Sequence, residues 1–179
     1  MKKQNCVYIG VSLDGYIADS NGNIEYLNTY KLPEGEDMGY YSFMDRMDAL
    51  VMGRITFETV LGFGVPWPYK KPVYVLSNSL KDIPPEYEGK VFLKGGNLDD
   101  ILAEIHQSGH HSLYIDGGST IQGFLQEDLI EEMIITTIPV LIGGGHPLFG
   151  TLDNNLKFKC IETKLFDGKI VQSRFLRNR

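Results

Sequence analysis

Asp48-Ala49-Leu50-Val51-Met52-Gly53-Arg54-Ile55-Thr56-Phe57-Glu58 and Ser112-Leu113-Tyr114-Ile115-Asp116-Gly117-Gly118-Ser119-Thr120-Ile121 follow one pattern. Each is an apolar run of strand type that meets glycine and then a helix start rich in hydroxyls. A strand feeding a helix through glycine aims unpaired backbone N–H groups and the positive end of a helix dipole at one point. That is the local architecture of a phosphate site. Two such turns in one short chain point to a dinucleotide rather than a lone anion. The fingerprint G-x-G-x-x-G is absent from both, so neither is a standard Rossmann turn.

Around these turns, apolar runs alternate with helical patterns. Strands are predicted at 7–11, 49–52, 72–76, 90–93, 113–115 and 133–138, and two more over 156–165 and 169–176. Helices are predicted over about 36–47, where Tyr40, Phe43, Met44 and Met47 recur at helical spacing, and over 56–61 and 97–106, with another opening at Thr120. Asp167-Gly168 between the last two strands is a hairpin signal. Alternating strands and helices that end in a hairpin imply an α/β fold. Its sheet is mostly parallel, with an antiparallel C-terminal edge and helices on both faces.

A chain of 179 residues is expected to form one domain, spanning 1–179. The net charge of −6 argues against general binding to nucleic acid or to an acidic membrane. The two cysteines, Cys6 and Cys160, belong to no C-x-x-C pair, so a cytoplasmic setting is expected. The first apolar run is too short for a signal peptide or a membrane span. His106, His110 and His111 cluster at a helix end without acidic or thiol partners, and no metal site is expected from them.

The polar positions at strand ends carry the chemistry. Arg54 sets a cation with bidentate donors beside a helix start, and Thr56 adds a hydroxyl. Leu76-Ser77-Asn78-Ser79 closes a strand with small polar groups suited to a ribose or its phosphate, and Lys94 follows another strand end. In open α/β sheets, ligands bind beyond the carboxyl ends of the strands, where all of these residues fall.

The ordered motifs resemble the dihydrofolate reductase superfamily. They are Ser12-Leu13-Asp14-Gly15-Tyr16-Ile17-Ala18, Met52 to Glu58, Val75 to Ser79, Asp116 to Leu125, and Pro139 to Phe149 with its Gly143-Gly144-Gly145-His146-Pro147 core. The first and last of these are most similar to stand-alone relatives of the riboflavin-biosynthesis reductase domain. The resemblance implies a three-layer sandwich around an eight-stranded sheet. It also implies an NADPH-dependent reductase of a small heterocyclic (pterin- or pyrimidine-like) or carbonyl substrate. By position it assigns Gly53, Arg54 and Thr56 to the cofactor phosphates, and Leu76, Ser77, Asn78, Ser79 and Lys94 to the adenosine side. Gly117, Gly118, Ser119 and Thr120 fall to the pyrophosphate, and Ile17 and Ala18 to the nicotinamide. Dihydrofolate reductases carry an arginine after the Gly-Gly pair, where this chain has Ser119. Relatives of this type often form homodimers through a late strand or the C-terminal hairpin.

Hydride transfer often needs a proton donor. Asp37 is the candidate acid, placed on one helical face with Tyr40, Tyr41 and Met44. Buried in an apolar cleft it would have a raised pKa; its other reading is a helix cap. Tyr41 and Thr136 are assigned to the substrate pocket by position, with core packing for Tyr41 and a plain sheet position for Thr136 as the alternatives. A non-catalytic nucleotide-binding or interaction module on the same scaffold is the second reading of the whole chain.

Overall fold

The computed structural model describes residues 3–179. Its main sheet has eight strands in the order β5-β4-β3-β6-β1-β7-β10-β9. The strands are β1 (Gln4–Ser12), β3 (Ala49–Gly53), β4 (Val73–Leu76), β5 (Val91–Lys94), β6 (Ser112–Asp116), β7 (Glu132–Ile138), β9 (Phe158–Phe166) and β10 (Ile170–Arg177). Strands β5 through β7 of that order run parallel, and β10 and β9 close the edge antiparallel. Two short strands, β2 (Tyr16–Ala18) and β8 (His146–Pro147), pair with each other beside the sheet. No helix among the described residues is long and apolar enough to cross a membrane.

The strands read as continuous apolar runs because both faces of the sheet are covered. Alternate side chains feed two cores. Val7, Ala49, Val51, Leu113 and Ile115 meet helices α3 (Leu98–Gln107) and α4 (Gly118–Gln126) through Ile101, Ile105, Ile121 and Phe124. Cys6, Leu50, Met52 and Tyr114 meet α1 (Tyr40–Asp45) and α2 (Arg54–Gly62) through Phe43 and Phe57, with Met47 just beyond α1. The side-chain oxygen of Asn97 accepts from the Asp100 amide and caps α3. Asp167 and Gly168 both take positive φ, 47° and 66°, as a two-residue turn that follows the strand twist requires.

Three differences from the sequence expectation bear on the site. The helix expected over 36–47 is cut to Tyr40–Asp45, because Met38 and Gly39 turn left-handed at φ 54° and 84°. Helix α2 starts earlier, at Arg54, directly on the glycine. The polar loop after β1 contains β2, whose pairing with β8 ties the glycine-rich 143–145 segment down. A Cβ on Gly145 would lie 2.1 Å from the Ala18 carbonyl oxygen, so only glycine fits beside the first loop.

Candidate active site

Strands β3 and β6 are neighbours in the sheet, with Met52 opposite Asp116. That register sets Gly53 beside Gly117, so the two glycine turns and the N-termini of α2 and α4 lie side by side. The contact is close. A Cβ on Gly53 would lie 3.0 Å from the Thr120 Oγ1, and one on Gly117 only 2.1 Å from the Thr56 Oγ1. Gly117 also has φ 88° and ψ 139°, a conformation essentially confined to glycine. Gly117→Ala is therefore expected to lower unfolding stability by about 2 kcal/mol in a denaturant titration. Adding Thr56→Ala should recover only part of that loss, since it relieves the collision and not the backbone strain.

A cavity of about 1040 Å³ runs across the carboxyl ends of β5, β4, β3, β6 and β1. It is at the upper end of the volumes typical of ligand sites. Ile17, Ala18, Gly53, Arg54, Thr56, Leu76, Ser77, Asn78, Lys94, Gly117, Gly118, Ser119 and Thr120 all line it. Ile17 sits over the second turn, its Cδ1 2.7 Å from where a Gly118 Cβ would stand. Ser79 does not line the cavity: its amide donates to the Ser77 hydroxyl at 3.1 Å, in the turn that ends the strand. Both cations are already partnered. Arg54 Nη1 donates to both Glu58 carboxylate oxygens, at 2.7 and 2.9 Å, and Lys94 pairs with Glu104.

The expected acid is corrected. Asp37 lies outside the cavity and accepts from the amides of Tyr41 and Gly39, each at 2.8 Å. Those two bonds hold its carboxyl below the usual range, opposite to the rise a proton donor needs. The left-handed Met38-Gly39 turn is the cause, because it starts the helix beyond Asp37 and makes the carboxylate a cap. Tyr41 on the same turn is 72% exposed and lines nothing. Thr136 is buried between β1 and β10, where its Oγ1 accepts from Gln172 Nε2 at 2.9 Å.

The carboxyl inside the cavity is Asp116, the last residue of β6. Burial pushes it up to about 6, against a bond from the Gly117 amide at 2.8 Å that lowers it. Tyr8, Tyr69 and Tyr114 line the cavity nearby. The Tyr114 hydroxyl donates to the Tyr8 carbonyl, and the Tyr8 hydroxyl to the Met38 carbonyl. Alternation along β6 was the available signal: Leu113 and Ile115 face one core, so Asp116 shares the face of Tyr114. Asp14 serves structure instead. It accepts from the Ser12 hydroxyl and from the Gly143 and Ile142 amides, joining the first loop to the late one.

The family model of the RibD C-terminal domain matches residues 6–172. The chain belongs to the RibD C-terminal domain family. Among relatives, protein YwjB of Bacillus subtilis, described as uncharacterized, is 37% identical over 99% of both chains. A solved structure from Shewanella sp. PV-4, titled "Putative riboflavin biosynthesis protein", is 49% identical with a TM-score of 0.95, over 98% of this chain and 99% of that one. A diaminohydroxyphosphoribosylaminopyrimidine deaminase/5-amino-6-(5-phosphoribosylamino)uracil reductase of Thermotoga maritima shares the fold. It has a TM-score of 0.75 at 14% identity, over 99% of this chain and 57% of that one. RibD C-terminal domains have the dihydrofolate reductase architecture: a mostly parallel eight-stranded sheet with an antiparallel C-terminal edge and helices on both faces.

Proposed function

We propose that this protein is an NADPH-dependent oxidoreductase that reduces a small heterocyclic or carbonyl compound. The observation that carries the reading is the pair of glycine turns at the heads of α2 and α4, side by side, with Asp116 at their junction. The groove fits a dinucleotide on its own chemistry. Gly53 and Gly117 let the two turns pack against each other's threonine hydroxyls, and two helix N-termini open onto the groove. Arg54 and Thr56 would hold the phosphates of the adenosine half, Leu76 to Asn78 and Lys94 its outer edge. Gly117 to Thr120 would hold the pyrophosphate, and Ile17 and Ala18 would pack against the nicotinamide. When bound, NADPH supplies a hydride.

The chain supplies the rest. A C=N or C=O bond that takes a hydride at carbon takes a proton at the heteroatom. Asp116, protonated in part near pH 6, holds that proton inside the cavity. The tied first loop and the β2–β8 ladder exclude water from one side.

Fluorescence titration with NADPH tests the reading, and no binding at millimolar cofactor would sink it. Arg54→Ala should weaken NADPH roughly tenfold or more, the value of a charge-assisted bond, and NADH less. Equal losses would remove Arg54 from the 2′-phosphate. The unpaired thiols of Cys6 and Cys160 fit a reducing, cytoplasmic compartment. Exposed Ile161 and Leu165 on the edge strand β9 support a homodimer through the C-terminal hairpin.

A further inference from the structure

The two halves of the cavity differ in charge. Beyond β3, β4 and β5 the lining includes Arg54 and Lys94. Beyond β1 and β6 it includes Tyr8, Ile17, Leu27, Tyr69, Tyr114 and Asp116. Among the described residues, no lysine or arginine lines this second half. His146 stands at its rim, exposed, in the β2–β8 ladder. The N-terminus of α2 opens onto the first half, and that of α4, at Gly118, stands at the boundary of the two halves, where the cofactor's pyrophosphate is assigned above.

From this we infer that the substrate is an unphosphorylated planar nitrogen heterocycle, neutral or cationic, held against tyrosine rings with a ring N–H or amino group turned to Asp116. The inference rests on the reductase reading above and names its substrate class. A phosphate carried into this half would find no lysine or arginine, and would meet the Asp116 carboxylate. A ring N–H or amino group finds there the Asp116 carboxylate as a charged acceptor. Aromatic walls suit a flat ring. The phosphoribosyl compound in the name of the Thermotoga protein is therefore the wrong substrate for this cavity, although the fold is shared.

The test is calorimetric, on protein with and without saturating NADP⁺. The probes are 2,4-diaminopyrimidine, 5-amino-6-(5-phosphoribosylamino)uracil and the dephosphorylated form of the latter. The diaminopyrimidine should bind, and Asp116→Asn should weaken it at least about tenfold. The dephosphorylated uracil should bind at least about tenfold tighter than its phosphorylated partner, and Asp116→Asn should narrow that gap. The inference is overturned by equal or tighter binding of the phosphorylated compound, by binding of none of the probes, or by indifference to Asp116→Asn in a variant with unchanged circular dichroism. A parallel NADPH titration reports on the reductase reading alone: cofactor binding with a phosphate preference defeats the substrate class and leaves that reading standing. The matched uracil pair, read without cofactor, still decides the charge preference where NADPH does not bind.

Discussion

Asp116→Asn should separate catalysis from stability in opposite directions. Turnover is expected to fall about 10²- to 10⁴-fold, the usual contribution of a placed general acid, while NADPH affinity holds. The wild-type rate of proton delivery should decline as pH rises through about 6, where Asp116 loses its proton, and the variant should lose that limb of the pH profile. The groups facing this carboxyl are the Gly117 amide and the rings of Tyr40, Tyr69 and Tyr114, and those phenols are themselves pushed to higher pKa. None of them titrates near 6.

The same substitution should stabilise the fold. The folded pKa of Asp116 lies above its ordinary 3.8, so the native state holds the proton more tightly than the unfolded chain. Stability therefore falls as pH rises from about 4 to about 6, and the penalty remains at neutral pH. Asparagine removes it. At pH 8 the variant should gain on the order of 2 kcal/mol, and near pH 3 it should gain nothing, in denaturant titrations at the two pH values. An acid that improves stability when removed is the mark of a group kept for chemistry.

Glu132→Ala should cost substantial stability, far from the cavity. Glu132 is buried and accepts two bonds from Arg46, at 2.9 and 3.1 Å, and two from Arg174, at 2.9 and 3.2 Å. It joins the end of α1 to β7 and β10. Removing one partner of a buried pair costs roughly 3–5 kcal/mol. The two arginine side chains are 40% and 36% exposed and recover hydration, so about 3 kcal/mol is expected here. Burial pushes the Glu132 carboxyl up, but the bonds from Arg46 and Arg174 outweigh it and hold it below the ordinary 4.5. That stabilisation is complete above 4.5 and is lost as pH falls below it. The stability advantage of the wild type over Glu132→Gln should thus shrink as pH falls below 4.5, in denaturant titrations at a series of pH values.

Much of this was legible from residue order. Apolar runs mark strands wherever both faces are covered, so β3, β4, β6 and β7 were readable. Glycine followed by Arg54 or by Ser119 marks the turns, and most of the cavity lining on that side came with them. What escaped reading depends on contacts between distant segments. Asp37 sits at helical spacing from Tyr40 and Tyr41, yet the left-handed Met38-Gly39 turn takes it to the surface. Thr136 faces Gln172 across a strand pair that only the register of β10 on β7 defines. The β2–β8 ladder joins loops separated by more than a hundred residues, with no local pattern to announce it. Asp116 was legible in type and place, but its protonation depends on burial among Tyr114 of its own strand and tyrosines from two other segments.

The position of β1 also constrains how the chain reaches this state. Strand β1 lies between β6 and β7, and its partners begin more than a hundred residues later in the chain, at Ser112 and Glu132. Until those residues leave the ribosome, Cys6 and Val7 have no strand to pair with, whereas β3, β4 and β5 can assemble among themselves. Closing loops of this length is entropically slow. The nascent chain therefore carries an unpaired apolar strand until those partners emerge. The cavity floor that Tyr8 completes is among the last parts of the molecule to form.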